Sequence, residues 1–153
     1  MIGEHSERRV FKTARLEKIL VSAAKQSLKG AVPAVNEPIS VKDFILEQSG
    51  RSFAGAQDDI RGASDRGDAS DRLLLIAYCF EDENVPRRSI KEVLSEHECK
   101  EIVVLIGPEG DFSRAEAELA LSHGFIPVHL GDSRLRTETA ALTAVSAVYF
   151  RHM

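Results

Sequence analysis

Apolar residues in the first part of the chain recur with the period of a helix. Between positions 16 and 27 they lie three and four residues apart, which predicts a helix with one apolar stripe that ends at Gly30. The stripe consists of Leu16, Ile19, Leu20, Ala23, Ala24 and Ser27. Residues 31–35 then predict a connecting strand or an extended segment, and residues 41–47 predict a short helix.

Three later stretches are apolar on both faces, as strands in the middle of a parallel sheet are. They cover residues 73–80, 102–106 and 125–130, and Pro127 limits the pairing of the third. Each of these stretches is short and is followed by polar or glycine residues, so the pattern predicts three buried strands.

Helical patterns lie between and after these strands. Residues 89–97 predict one helix, and the capping-box residues Ser113 and Glu116 predict another that ends at Gly124. Residues 139–150 are apolar nearly all round, which predicts a helix buried on more than one side. Strands that alternate with helices indicate an α/β domain, with a mostly parallel sheet flanked by helices.

Residues 48–72 differ from their surroundings. They are rich in Gly, Ser, Asp and Arg, and the tetrad Ala-Ser-Asp-Arg occurs twice. Such a segment cannot bury enough apolar surface to offset its ordering entropy, so we expect an exposed, flexible insertion. The alternative is a loop that contacts RNA through its arginines, but the nearby aspartates nearly cancel their charge and argue against strong phosphate binding.

Length and composition set the class of protein. The 153 residues fit one domain, and no apolar run is long enough for a transmembrane helix. The charged N-terminus is unlike a signal peptide, so we expect a soluble, cytoplasmic chain. Cys79 and Cys99, which lack metal-type spacing, are then expected to be buried, reduced thiols.

Charge is distributed unevenly along the chain. The net charge is −4, but residues 1–30 carry seven basic and three acidic side chains, a balance of +4, so the remainder sums to −8. A basic segment on an acidic body suits a polyanionic partner such as RNA. A solvated helix face would show the same charge pattern, so charge alone does not decide between the two.

Two segments that follow predicted strands are candidates for ligand binding. Residues 107–110, Gly-Pro-Glu-Gly, follow one strand, and residues 130–140 follow another. Ligands of parallel α/β sheets bind beyond the carboxyl ends of the strands. Neither segment matches a dinucleotide or P-loop fingerprint, and Pro108 removes one amide donor. A ligand held by backbone amides and carbonyls, without a phosphate cradle, fits this pattern better.

At these two segments the chain resembles a known family. IGPEGDFSRAEAELA at residues 106–120 and LGDSRLRTETAALTA at residues 130–144 resemble the C-terminal half of the uracil-N3 methyltransferases of small-subunit (16S) ribosomal RNA. This family belongs to the knotted SPOUT methyltransferases. The segments SERR at 6–9, ARLEKILVSAAKQS at 14–27 and Val32-Pro33 are also similar, so the resemblance spans residues 6–47 and 73–150.

The resemblance implies a fold, a cofactor and partners. The fold would be a SPOUT domain with a C-terminal trefoil knot, pairing as a homodimer through its last helix. The cofactor would be S-adenosyl-L-methionine, the substrate ribosomal RNA of the small subunit, and no metal or membrane would be needed. The residues implied to surround the cofactor are Ile106, Gly107, Glu109, Gly110, Leu130, Gly131, Leu135, Thr137, Thr139 and Ala140.

The same resemblance suggests catalytic and RNA-binding residues, with structural alternatives. Arg136 would hold the oxygens of the base or balance charge on a deprotonated imide, unless it forms a salt bridge with Glu138 or Glu109. Glu138 is either a general base or, in the first turn of the last helix, a partner of the helix dipole. Arg8 and Arg9 match the family's basic stretch and would contact RNA. His129 alternates with apolar neighbours and could face a pocket, but we favour its interpretation as a surface or core residue.

The chain also departs from the family. We expect its N-terminal PUA-like RNA-binding domain and the first strand and helix of its catalytic domain to be absent, leaving residues 1–153 as one incomplete domain. The segment 48–72 has no recognised counterpart, and Asp111 stands where glycine is common. Two further hypotheses therefore stay open: a non-catalytic remnant that keeps the fold and binds cofactor, and, ranked lower, an unrelated small-molecule-binding α/β module.

Overall fold

The structure, a computed structural model, describes residues 13–53, 72–80 and 85–153, with the side chains of 51–53 excepted. Its elements in chain order are α1 (Thr13–Gln26), α2 (Val41–Phe53), β1 (Arg72–Ala77), β2 (Arg88–Ser89), α3 (Ile90–Glu96), β3 (Glu101–Ile106), α4 (Arg114–Ser122), β4 (Ile126–His129) and α5 (Thr137–Arg151). No helix in these ranges is both long and apolar enough to cross a membrane.

The strands form one parallel sheet in the order β2-β4-β1-β3. Strand β1 lies in the middle, where Leu75 is aligned with Val104 of β3 and with Ile126 of β4. This arrangement confirms the predicted α/β fold with a parallel sheet between helices. The two-residue strand β2 was not predicted, because it is too short to show a periodic pattern.

Alternating residues of β1 reach two separate apolar clusters, one on each face of the sheet. Leu74 and Ile76 pack in the cluster that includes residues of α2 and α4. Leu73 and Leu75 pack in the cluster that includes residues of α3 and α5. Because both faces of the strand are covered, β1 is apolar at every one of these positions, as the sequence pattern indicated.

Helix α4 begins at the predicted capping box. The Ser113 amide donates to Glu116 Oε2 at 2.9 Å, and the Glu116 amide donates to Ser113 Oγ at 3.2 Å. The helix ends at Ser122, and Gly124 follows with a φ of +84° that favours glycine. The predicted start is confirmed, and the predicted end differs by two residues.

Helix α1 exists as predicted but ends earlier. Its last residue is Gln26, and Leu28 rather than Gly30 adopts a positive φ, of 53°. The Lys29 amide donates to the Ala24 carbonyl at 3.0 Å and completes the helix end. Ala24 is the helix's buried residue, and residues 31–35 are extended without forming a strand.

Helix α2 continues beyond the predicted end and into the predicted insertion. Gln48 and Ser49 are buried, and the Ser49 hydroxyl donates to the Leu46 carbonyl at 3.0 Å. At the other end Arg72 already belongs to β1. The predicted bounds of 48–72 are therefore wrong on both sides, and residues 54–71 lie outside the described residues.

Helix α5 is buried on one side only, which corrects the prediction of burial on several sides. The small residues Ala140 and Ala144 are buried. On the solvent side, Leu142 and Val145 are 68% and 67% exposed. The helix is apolar all round because its outer side also carries large apolar residues, not because the chain encloses it.

The two cysteines are free, and they are less buried than expected. Cys79 is exposed and follows β1, while Cys99 is half-buried and accepts a hydrogen bond from Arg151 Nη1 at 3.7 Å.

The central position of β1 leads to a stability prediction. Leu75→Ala removes a fully buried side chain from the middle strand, so we expect the free energy of unfolding to fall by about 2–5 kcal/mol. Leu46→Ala, at a 43% exposed position on α2, should cost clearly less. Urea unfolding of both variants measures the difference, and equal losses would contradict the placement of β1.

Candidate functional site

A cavity of about 980 Å³ lies at the carboxyl ends of β1, β3 and β4. Its walls are the last residues of these strands and the segments that follow them, together with Arg87 and the beginning of α5. All strands run parallel, so their carboxyl ends meet at one edge of the sheet, where such folds bind ligands. We call residues 107–113, between β3 and α4, the glycine loop, and residues 130–136, between β4 and α5, the arginine loop.

The glycine loop turns tightly beside the cavity. The Asp111 amide donates to the Pro108 carbonyl at 2.9 Å, and Asp111 itself has a positive φ of 67°. A Cβ at Gly107 would lie 3.0 Å from Asp111 Oδ1 and 3.3 Å from Phe112 Cδ2. Close packing within the loop, rather than turn geometry, therefore explains the glycine at position 107.

The arginine loop is connected to the glycine loop by a hydrogen bond. The Thr137 hydroxyl, in the first turn of α5, donates to the Gly107 carbonyl at 3.1 Å. Gly131 has a φ of +130°, which side-chain-bearing residues rarely adopt. The two segments singled out in the sequence thus lie against each other in the fold.

Most residues implied to surround the cofactor line this one cavity. Those that do are Ile106, Gly107, Glu109, Leu130, Gly131, Leu135, Thr137 and Ala140. Gly110 and Thr139 are exposed and do not line it. On α5, Thr137 and Ala140 are three residues apart and share a face, whereas Thr139 points away from it.

The structure separates the two catalytic candidates. Arg136 is exposed, directly precedes α5 and lines the cavity. Within the described residues it forms no salt bridge with Glu109 or Glu138, so the structural alternative for Arg136 has no support. Glu138 lies in the first turn of α5 and does not line the cavity, which favours its interaction with the helix dipole.

The RNA-binding candidates Arg8 and Arg9 lie outside the described residues.

One wall of the cavity was not predicted from the sequence. Tyr78 and Phe80 follow β1 with their rings stacked, 4.3 Å between centroids. The Arg87 guanidinium lies 6.0 Å from the Tyr78 centroid, and its Nη1 donates to the Tyr78 carbonyl at 2.6 Å. No sequence pattern distinguished these two residues from the strand, because residues 73–80 form one continuous apolar stretch and were predicted as a single strand. His129 also lines the cavity, which is the less favoured of the two positions that the sequence left open for it.

The charges around the cavity are balanced. It is lined by three arginines and by three carboxylates, which are Arg87, Arg134, Arg136, Glu109, Asp111 and Asp132. Apolar side chains and glycine backbone make up much of the rest. Such a lining suits a ligand with charges of both signs and an apolar part better than a polyphosphate. Across the described ranges, no group of three or more His, Cys, Asp or Glu residues is arranged to hold a metal ion.

Comparison with known proteins gives relatives of one kind. The chain is 41% identical over 135 residues to ribosomal RNA small subunit methyltransferase E of Buchnera aphidicola subsp. Schizaphis graminum, covering 88% of this chain and 44% of that protein. The same-named protein of Rickettsia conorii is 28% identical and has 45% of its length covered. The chain therefore spans about half the length of the curated relatives it matches.

Solved structures agree with this result. A probable rRNA-methyltransferase of Porphyromonas gingivalis matches with a TM-score of 0.67 and 39% identity, over 99% of this chain and 53% of that one. A methyltransferase structure from Legionella pneumophila, solved with the cofactor SAM bound, matches with a TM-score of 0.64 and 26% identity over 97% of this chain and 52% of that one.

A family model, the RNA methyltransferase domain, matches residues 1–149. The match covers nearly the whole chain and includes both loops of the cavity. The fold, the cavity and these comparisons lead to one conclusion: the chain belongs to the RNA methyltransferase domain family.

Proposed function

We propose that this chain transfers a methyl group from S-adenosyl-L-methionine to N3 of a uridine in 16S ribosomal RNA of the small subunit. The observation that carries the proposal is that the glycine loop and the arginine loop, together with the end of β1, enclose one cavity. The solved relative with SAM bound supports the choice of cofactor. A chain that acts on ribosomal subunits would work in the cytoplasm.

The cavity suits S-adenosylmethionine in size and chemistry. Its volume of about 980 Å³ lies near the upper end of ordinary small-molecule sites, roughly 300–1,000 Å³. Ile106, Leu130 and Leu135 would pack against the apolar part of the ligand, and backbone groups beside Gly107 and Gly131 would bind its polar edges. Carboxylates and arginines of the lining would face its cationic and anionic groups.

The cofactor would supply an electrophilic methyl group on a good leaving group, so the protein's main task is positioning. Arg136 is the residue we assign to the base. From its place before α5, its guanidinium would hold the uracil oxygens and stabilise negative charge that develops when N3 loses its proton. Its freedom from a salt bridge with Glu109 or Glu138 leaves it available for this role.

Glu138 is the other catalytic candidate, as a general base, but its position off the cavity favours the helix-dipole role instead. Cavity-lining groups with suitable chemistry for accepting a proton are His129, Glu109 and Asp132. We retain Gly110 and Thr139 as cofactor contacts implied by the family, and Arg8 and Arg9 as RNA contacts.

The proposal includes the finer features of the SPOUT fold. We propose a C-terminal trefoil knot, as the resemblance to the family implies. We also propose that residues 1–153 correspond to one SPOUT-like methyltransferase domain. In this view, residues 48–72 include an insertion relative to the family.

A homodimer is supported by the outer side of α5. Large apolar residues recur there at helical spacing and are all exposed, namely Leu142, Val145, Tyr149 and Phe150. Contiguous apolar surface of this kind is typical of protein–protein interfaces. We propose that two copies pair through this stripe, consistent with pairing through the last helix in the family.

The second candidate function is a non-catalytic remnant that binds cofactor but cannot hold RNA productively. The observation in its favour is that Glu138, the candidate general base, does not line the cavity. The two candidates share the cavity and differ only in methyl transfer, so one experiment separates them.

The test combines cofactor binding with methyl transfer. We expect calorimetry to show S-adenosylmethionine binding, and small ribosomal subunits lacking the modification to gain N3-methyluridine, measured by mass spectrometry. Gly131→Arg places a bulky residue at a strained position beside the cavity and should weaken cofactor binding about a hundredfold. Gly30→Arg is the matched control, because Gly30 does not line the cavity and does not have the positive φ of Gly131.

Each result of that test has one meaning. Binding with methyl transfer supports the enzyme, and binding without transfer supports the remnant. A wild-type chain that does not bind the cofactor would contradict both, and full affinity in Gly131→Arg would show that the ligand binds elsewhere.

The dimer yields a separate prediction. The double variant Leu142→Glu, Val145→Glu places two charges in the apolar stripe, so we expect it to sediment as a folded monomer while the wild type sediments as a dimer. Ile19→Glu, at an exposed apolar position on α1, should remain dimeric. A monomeric wild type, or a double variant that still dimerises, would refute pairing through α5.

A further inference from the structure

Asp111 occupies an unusual position for a side-chain-bearing residue. It lies in the glycine loop with a φ of 67°, in the left-handed region where glycine is favoured and aspartate is tolerated. Its amide closes the turn to Pro108, and its side chain lines the cavity. A backbone that needs positive φ explains why glycine would fit here, but it does not explain an aspartate.

The carboxylate of Asp111 connects the loop to the neighbouring strand. Oδ2 accepts a hydrogen bond from the Cys79 amide at 2.6 Å, and Oδ1 accepts one from the Phe112 amide at 2.9 Å. Short bonds to an ionised acceptor are stronger than those between neutral groups. Asp111 thus bridges the chain after β1 and the chain after β3.

This bridge lies where the backbone ladder between the two strands has ended. The last aligned pair of β1 and β3 is Ala77 with Ile106. Two residues further along, Pro108 has no amide hydrogen, and its carbonyl accepts from Asp111 instead. The Asp111 side chain therefore provides a connection between the strands that the backbone does not provide at this point.

Both connected segments are walls of the cavity. Cys79 and its neighbours form the wall after β1, and Pro108 and Glu109 form the wall after β3. We propose that Asp111 is a positioning residue, whose carboxylate fixes the separation of these two walls and so shapes the site for the cofactor. This inference rests on the proposed function for the identity of the ligand.

The test uses two substitutions that keep the backbone conformation. Asp111→Gly retains positive φ and removes the carboxylate that accepts from the Cys79 and Phe112 amides. Asp111→Asn also tolerates positive φ and keeps one acceptor oxygen. Glu118→Gln, at an exposed position on α4, is the control for loss of one carboxylate. The measurements on the full chain are amide hydrogen exchange and calorimetric affinity for S-adenosylmethionine, at a temperature where all variants are folded.

In Asp111→Gly we expect the Cys79 amide to exchange about tenfold faster while Leu75 in β1 is unchanged, and the cofactor to bind about tenfold more weakly. Asp111→Asn should fall between this variant and the wild type, and Glu118→Gln should match the wild type. A merely structural role would lower the stability of the variants without this selective loss of affinity and its partial rescue by asparagine.

Other results would overturn the inference. Unchanged exchange at Cys79 would show that the bridge is not formed, and faster exchange with full affinity would show that it does not position the site. Failure of the proposed function gives a different result, because the wild-type chain itself would then not bind S-adenosylmethionine. That result would refute the positioning role of Asp111 as well.

Gly107 allows an independent check. A Cβ at position 107 would lie 3.0 Å from Asp111 Oδ1, so Gly107→Ala should displace the same carboxylate. The loss of affinity in the double variant Gly107→Ala, Asp111→Gly should therefore be smaller than the product of the two single losses. Independent effects that multiply fully would contradict a shared mechanism.

Discussion

The parallel pairing of β1 with both of its neighbours is the interaction on which the rest of the structure depends. β1 is buried on both faces, so its register with β3 and β4 is strongly constrained. Because every strand runs in the same direction, this register brings the chain after three strands to one edge of the sheet. Segments that are well separated in sequence become the walls of one cavity.

Hydrogen bonds beyond the sheet then hold these walls together. Thr137 connects the start of α5 to the glycine loop, and Asp111 connects that loop to the end of β1. The Thr137 hydroxyl donates to the Gly107 carbonyl, and the Asp111 carboxylate accepts from the Cys79 amide. Both backbone groups lie beyond the last aligned pair of β1 and β3. These bonds hold the walls of the cavity together, and a preorganised site has a lower cost of ordering on binding. For a reaction in which the cofactor supplies the chemistry, such preorganisation is the protein's main contribution.

Features that leave a local pattern in the sequence were predicted. Features that depend on which elements come into contact in the fold were missed. The capping box at Ser113 and the buried strands were predicted, because each leaves a pattern within a few residues. The wall at Tyr78 and Phe80 was missed, because it depends on which loops the strand order brings together. The exposed apolar residues of α5 were predicted to be buried, because the apolar pattern of a helix does not show whether its own chain or a partner covers it. Helix geometry likewise turns Thr139 away from a cavity that Thr137 faces.

The central claim is that the carboxyl edge of the sheet is the cofactor site. Titration of the wild-type chain with S-adenosylmethionine, followed by backbone amide NMR, tests it most directly. We predict that the largest shift changes occur at Gly107, Cys79 and Gly131, around the cavity. Changes concentrated at the opposite edge of the sheet, near Arg72 and Gly124, or no changes at saturating ligand, would contradict the account.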